Sequence, residues 1–132
     1  MAYYYCPEGE GEMVRVLVVD NNAEFLRVLV RLLERQPDIE VVAQAGSLAE
    51  ARSKLSGVDV AILDRGLPDG DGLELISELR EASPNAKVLV MSATVEEAHP
   101  EQAIEAGAEG ILDKISSPEE TISAIRGVGG GG

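Results

Sequence analysis

The sequence predicts a doubly wound α/β domain, a parallel sheet of five strands with five flanking helices in a three-layer sandwich. Three observations carry this expectation. The hydrophobic period switches repeatedly, from continuous β-branched runs to helical spacing and back, between Met13 and Arg126. The strand-like runs are apolar at nearly every position, as strands covered on both faces are. The chain has 132 residues, 45% of them hydrophobic, which suits one domain with one core and is too short for two.

VRVLVVD (14–20) is the first strand, ending in an acid. Phe25, Leu26, Val28, Leu29, Leu32 and Leu33 then recur at helical spacing, with Asn21 and Glu24 as an N-cap pair and Pro37 beyond the end. IEVVAQA (39–45) is the second strand. Ser47 and Glu50 form an S-x-x-E capping box for a short helix through Leu55, closed by Gly57. VDVAILD (58–64) is the third strand and again ends in an acid; RGLPDGDG (65–72) has the composition of a loop.

Leu73, Leu75, Ile76 and Leu79 mark a third helix that stops before Pro84. KVLVMS (87–92) is the fourth strand, and a polar, Ala-rich helix over roughly 96–106 ends at Gly107. GILD (110–113) is a short fifth strand. Ser117, Pro118 and Glu120 open the last helix with cap, N1 proline and capping glutamate in place.

Composition excludes several functions. Eleven basic residues stand against 24 acidic ones, a net charge of −13, and aromatics are 3% of the chain. The first half, residues 1–66, carries 7 basic and 11 acidic side chains, and the second half 4 and 13. No basic stripe can track phosphates and no aromatic platform can stack bases, so this segment is not expected to touch nucleic acid directly. One His and one Cys build neither a zinc site nor an intrachain disulfide. No apolar run approaches the roughly 18 residues of a membrane span. MAYYYCPEGEGE does not read as a signal peptide, and an acidic chain with a lone Cys6 points to the cytoplasm. Residues 1–12 are expected to be a disordered tail, 13–126 the folded domain, and 127–132 (GVGGGG from Gly127) a flexible linker or tail.

A doubly wound sheet binds ligands outside the carboxyl ends of its strands. There the strand ends deliver Asp20, Asp64, Ser92 and, just beyond the fifth strand, Lys114. Two neighbouring carboxylates call for a hard cation such as Mg²⁺. A carboxylate beside such an ion and an ammonium group is placed to accept a phosphoryl group. Each residue also has a plainer reading: turn acids, a small strand-end residue, a solvated lysine. Asp69 and Asp71 are read as shaping the loop and the next helix start, and His99 as a surface residue.

VRVLVVDN, VDVAILDRGLPDGDGLEL, VLVMSAT and GAEGILDKISSPEE, in this order and spacing, resemble the receiver domains of two-component response regulators, which implies a flavodoxin-like fold with strand order 2-1-3-4-5. The resemblance covers nearly the whole of residues 13–126. It implies that Asp64 is phosphorylated by a partner histidine kinase or phosphotransfer protein. It further implies that Asp20, Asp64, the Gly66 backbone carbonyl and Asn21 hold Mg²⁺, that Ser92 is the switch hydroxyl, and that Lys114 binds the phosphoryl group. It implies self-directed phosphorylation and dephosphorylation rather than a turnover enzyme, and a homodimer on phosphorylation. LLERQPDIEVVAQAGSLAEA and GAEGILDK resemble receivers that precede helix-turn-helix transcription factors, which implies a DNA-binding output elsewhere in a longer protein and a role in transcription regulation.

Three positions depart from the family pattern. Asn21 stands where a second acid is usual, which weakens the expected Mg²⁺ site. Ile111 replaces the aromatic three residues before the lysine, so coupling must run through loop and helix shifts. Ile115 follows the lysine where proline is frequent. The rival readings are a pseudo-receiver that acts as a phosphorylation-independent interaction module, and a flavin or nucleotide binder. The second lacks a G-x-G-x-x-G fingerprint and an aromatic to stack on a ring.

Overall fold

The computed structural model describes residues 13–94 and 96–130. The tail expected at 1–12, with Cys6 and Tyr3 to Tyr5, lies outside the described residues, as do Gly131 and Gly132.

Five strands, β1 (Val14–Val19), β2 (Ile39–Ala45), β3 (Val60–Asp64), β4 (Lys87–Ser92) and β5 (Gly110–Asp113), form one parallel sheet in the order β2-β1-β3-β4-β5. The crossovers are α1 (Ala23–Glu34), α2 (Leu48–Ala51, extended by a 3-10 turn at Arg52–Lys54), α3 (Ile76–Ala82, led by a 3-10 turn at Gly72–Leu75) and α4 (Pro100–Ala106). Helix α5 (Pro118–Ile125) closes the chain of elements. Fold class and strand order are as the sequence predicts.

Alternation along the strands splits the core in two. Leu17, Val19, Ala61, Leu63, Val88 and Val90 face Leu48, Leu55, Leu75, Leu79 and Ala103, so α2, α3 and α4 cover one side. Val16, Val18, Ile62, Leu89 and Met91 face Leu29, Leu33, Ile122 and Ile125 of α1 and α5. At β2 the edge carries an irregularity: Val16 pairs with Val41 but Leu17 with Ala43, which leaves Val42 exposed.

Local details differ from expectation in four places. Asn22, not Asn21, caps α1: its side chain accepts from Phe25 N at 2.9 Å, because the residue after it is the first with helical backbone. Glu50 does not complete a box with Ser47. Ser47 Oγ accepts from Glu50 N, but the Glu50 carboxylate takes the Gly46 N–H one residue upstream.

The helix expected over 96–106 is interrupted. A 3-10 turn at Glu96–Ala98 ends at His99, which has φ +50, and α4 starts only at Pro100. The proline ring disfavours α geometry at the residue before it, and the helix breaks there. At the carboxyl end, where a linker or tail is expected over 127–132, Arg126–Gly130 continue from α5 as one wide π-type turn. Val128 packs on the α1/α5 side of the core, and Gly129 lies so close to Val14 and Val60 that a Cβ there would overlap Val60. Arg126 pairs with Asp38 through two 2.8 Å contacts, tying this turn to the α1–β2 loop.

Candidate functional site

Parallel strands β1, β3 and β4 end side by side, and each carries a polar residue where its apolar run stops. Asp20 follows β1 directly and its N–H donates to Ala45 O of β2 at 2.9 Å. Asp64 is the last residue of β3 and pairs in register with Met91, the neighbour of Ser92. All three are buried: Asp20 is 2% exposed, Asp64 5% and Ser92 8%. Lys114 follows β5, and its backbone N–H donates to Ser92 O at 2.8 Å, which aims its side chain back across the strand ends.

That side chain joins the acids. Lys114 Nζ lies 2.9 Å from Asp20 Oδ2 and 3.3 Å from Asp64 Oδ2. The other oxygen of each carboxylate accepts a local backbone N–H, Asn22 N for Asp20 at 2.8 Å and Gly66 N for Asp64 at 3.0 Å. Burial pushes the Asp20 carboxyl up from its ordinary value, against the hydrogen bonds from Lys114 and Asn22 N and with the help of the Asp64 charge. For Lys114 burial opposes the charge, but the hydrogen bond and charge of Asp20, with those of Asp64, outweigh it and the ammonium is stabilised. The structure therefore brings the side chains of Asp20, Asp64 and Lys114 together, with Ser92 at the neighbouring strand end joined to Lys114 through its backbone carbonyl, while Asn21 and Gly66 sit exposed on the flanking loops.

The donors suit a hard cation. Among the described residues no group of three or more His, Cys, Asp or Glu side chains converges. What the site offers is two buried carboxylates, with Asn21 and Gly66 on the adjoining loops, and oxygen donors of this kind are those Mg²⁺ takes. A groove of about 540 Å³, lined in part by Asp20, Asn21, Gly46 and Glu50, opens beside them.

Sequence reasoning missed three features. Phe25 from α1 lies under the lysine, with Lys114 Nζ 5.0 Å from the ring centroid, a cation–π contact that steadies the ammonium. The spacing of α1 alone marks Phe25 only as core. Asp69 also reaches beyond its own loop: its carboxylate accepts from Leu48 N at 2.8 Å and Ala49 N at 3.0 Å, capping α2 from 20 residues away. Arg65, beside Asp64, pairs with Asp71 and donates to Ala98 O at 2.7 Å. Asp71 also caps the turn at Gly72–Leu75, as expected, and Gly72 packs so tightly on Asp64 that a Cβ there would overlap the Asp64 carbonyl oxygen. His99 is exposed.

Known proteins of one family resemble this chain. A model of the response regulator receiver domain matches residues 16–126. The chain is 38% identical, over 121 residues, to the DNA-binding transcriptional activator DevR/DosR of Mycobacterium tuberculosis, covering 90% of this chain and 56% of that protein. The signal receiver domain of the response regulator NarL from Mycobacterium tuberculosis superposes with a TM-score of 0.80 at 34% identity, covering 92% of this chain and 99% of that one. A response regulator from Burkholderia pseudomallei, crystallised with a phosphorylated aspartic acid, a calcium ion and citrate, gives 0.73 at 30% identity, covering 84% and 65%. The chain thus spans little more than half the length of the curated relative.

Proposed function

The chain belongs to the response regulator receiver domain family, and from that premise we propose that Asp64 is the phosphoacceptor of a two-component switch. The observation that carries the reading is one ammonium, Lys114, shared by two buried acids at adjacent strand ends. The donor is the phosphohistidine of a histidine kinase or phosphotransfer protein. An Asp64 carboxylate oxygen attacks phosphorus in line with the P–N bond. The O–P bond forms as the P–N bond breaks, and the electron pair stays on the imidazole nitrogen, which takes up a proton.

Lys114 holds Asp64 in place before transfer and stays within reach of the phosphoryl oxygens afterwards. Ser92 lends its hydroxyl to one of those oxygens, and Gly66 N–H orients the carboxylate. Asp20, Asp64, the Gly66 carbonyl and Asn21 would hold Mg²⁺, more weakly than two acids after β1 would. When bound, the ion offsets negative charge on the phosphoryl group. The site assists only its own loading and release, so the domain is a switch rather than a turnover enzyme.

The added charge biases the face of α4, β5 and α5 between two arrangements, and dimerisation on phosphorylation follows from such a change. The likeness to a DNA-binding activator supports a transcriptional output carried by a further domain of a longer, cytoplasmic protein. Incubation with acetyl phosphate and Mg²⁺ tests the reading by intact mass. One phosphoryl adduct is expected on the unaltered chain and none on Asp64→Ala. No adduct on the unaltered chain overturns it in favour of a pseudo-receiver acting only through protein contacts.

A further inference from the structure

Arg65 is the residue immediately after Asp64, yet its side chain works elsewhere. It is 15% exposed and forms a fork on Asp71, with Nε 3.1 Å from Oδ1 and the second guanidinium nitrogen on Oδ2. The remaining nitrogen donates to Ala98 O at 2.7 Å and to Gln102 Oε1 at 3.2 Å. One planar cation thus binds three partners. Asp71 holds the turn that leads into α3, Ala98 ends the 3-10 turn ahead of α4, and Gln102 belongs to α4 itself.

The place it grips is the weak point of that crossover. Helix α4 is only seven residues long and is cut off from the preceding turn by His99 in left-handed geometry. Left-handed backbone at a residue with a Cβ persists only where its surroundings hold it. Two tethers do so. From the β4 side, Thr94 receives Ala98 N at its carbonyl (3.2 Å) and Glu97 N at its hydroxyl (3.1 Å). From the β3 side the tether is Arg65. Thr94 is two residues past Ser92 and Arg65 one past Asp64, so each tether begins beside a site residue.

We propose that Arg65 is a positioning residue that locks the start of α4 to the end of β3, and that the state of Asp64 is read out at α4 through it. The second half rests on Asp64 being the phosphoacceptor. Only a guanidinium fits the role, because it offers five donors in a rigid plane, whereas a lysine ammonium cannot span a carboxylate on one side and two carbonyl-type oxygens on the other.

Amide hydrogen exchange by mass spectrometry tests both halves. In the unmodified protein, Arg65→Ala is expected to speed exchange across 98–106 at least tenfold with β1 and α1 unchanged, Gln102→Ala to do so less, and Arg65→Lys to fail to restore protection. Exchange within twofold of the unaltered chain at 98–106 overturns the lock. After acetyl phosphate and Mg²⁺, the unaltered chain is expected to change its exchange at 98–106, while Arg65→Ala takes the phosphoryl adduct yet shows less than half that change. An undiminished change in Arg65→Ala overturns the readout. Failure of the phosphoacceptor reading is seen separately, as absence of any adduct on the unaltered chain, and leaves the first measurement to decide the lock.

Discussion

Lys114 Nζ stands 2.9 Å from Asp20 Oδ2, and the carboxylate is 2% exposed while the lysine side chain keeps 22% of its surface in water. The cation is therefore the wet member of a pair whose anion is dry. It also serves Asp64, so one side chain neutralises two buried acids.

Replacing Lys114 by Met leaves both carboxylates buried without their counter-charge. Breaking a fully buried pair costs roughly 3–5 kcal/mol, and the partial exposure of Lys114 brings the expected loss to about 2 kcal/mol. Urea unfolding at neutral pH measures it. Added Mg²⁺ is expected to return part of the loss by supplying positive charge to the same oxygens.

The pH dependence follows from Asp20. Its native pKa is raised above the ordinary 3.8, burial being the leading cause, so in that window the folded chain binds more protons than the unfolded one. Stability then falls as pH rises from 3.8 through the native value. The difference between the unaltered chain and Asp20→Asn, from urea unfolding at a series of acidic pH values, should decline through that window and level off above it. Lys114 acts at the other end. Its native pKa is raised above 10.5, so its contribution is whole below 10.5 and disappears as pH rises through the native value.

Gly72→Ala places a methyl group against the Asp64 carbonyl oxygen and 3.0 Å from its carbon. Either the loop or the end of β3 must yield, at a cost of about 1–3 kcal/mol. Slower formation of the Asp64 adduct is expected alongside the lower midpoint in urea.

Asn21→Asp restores a second negative charge beside Asp20 and should tighten Mg²⁺ binding by about tenfold, since carboxylate count tunes affinity in such sites. Titration calorimetry checks this. An unchanged affinity would place Asn21 outside the ligand set.

Ser117→Ala removes the cap of α5, where Ser117 Oγ accepts from Glu120 N at 3.2 Å and Glu120 returns a bond to Ser117 N. The expected loss is about 1 kcal/mol, or a fall of roughly 4 °C in the melting midpoint.

The parts of the site that were legible are those tied to strand ends. Asp20, Asp64 and Ser92 each follow an apolar run whose two-sided burial can be read from its composition, and a parallel sheet brings such ends together. Partners supplied from far along the chain were not legible. Asp69 reads as a loop acid because nothing near it in sequence mentions α2. Arg65 reads as a loop cation because Ala98 and Gln102 lie more than thirty residues away. The break at His99 was half legible: Pro100 disfavours helix at 99, but the Ala-rich spacing around it suggests an unbroken one.

By itself, the hydrophobic period determined the fold class and which strand ends carry acids, and the resemblance to receiver domains supplied the strand order. Only the tertiary structure decided that Asn22 rather than Asn21 caps α1, that Lys114 is shared between Asp20 and Asp64 over the Phe25 ring, and that Arg65 grips α4. Those contacts are short-ranged and directional. Period and composition say which side of a strand or helix is dry, whereas a hydrogen bond or an ion pair depends on where two distant backbones finally come to rest.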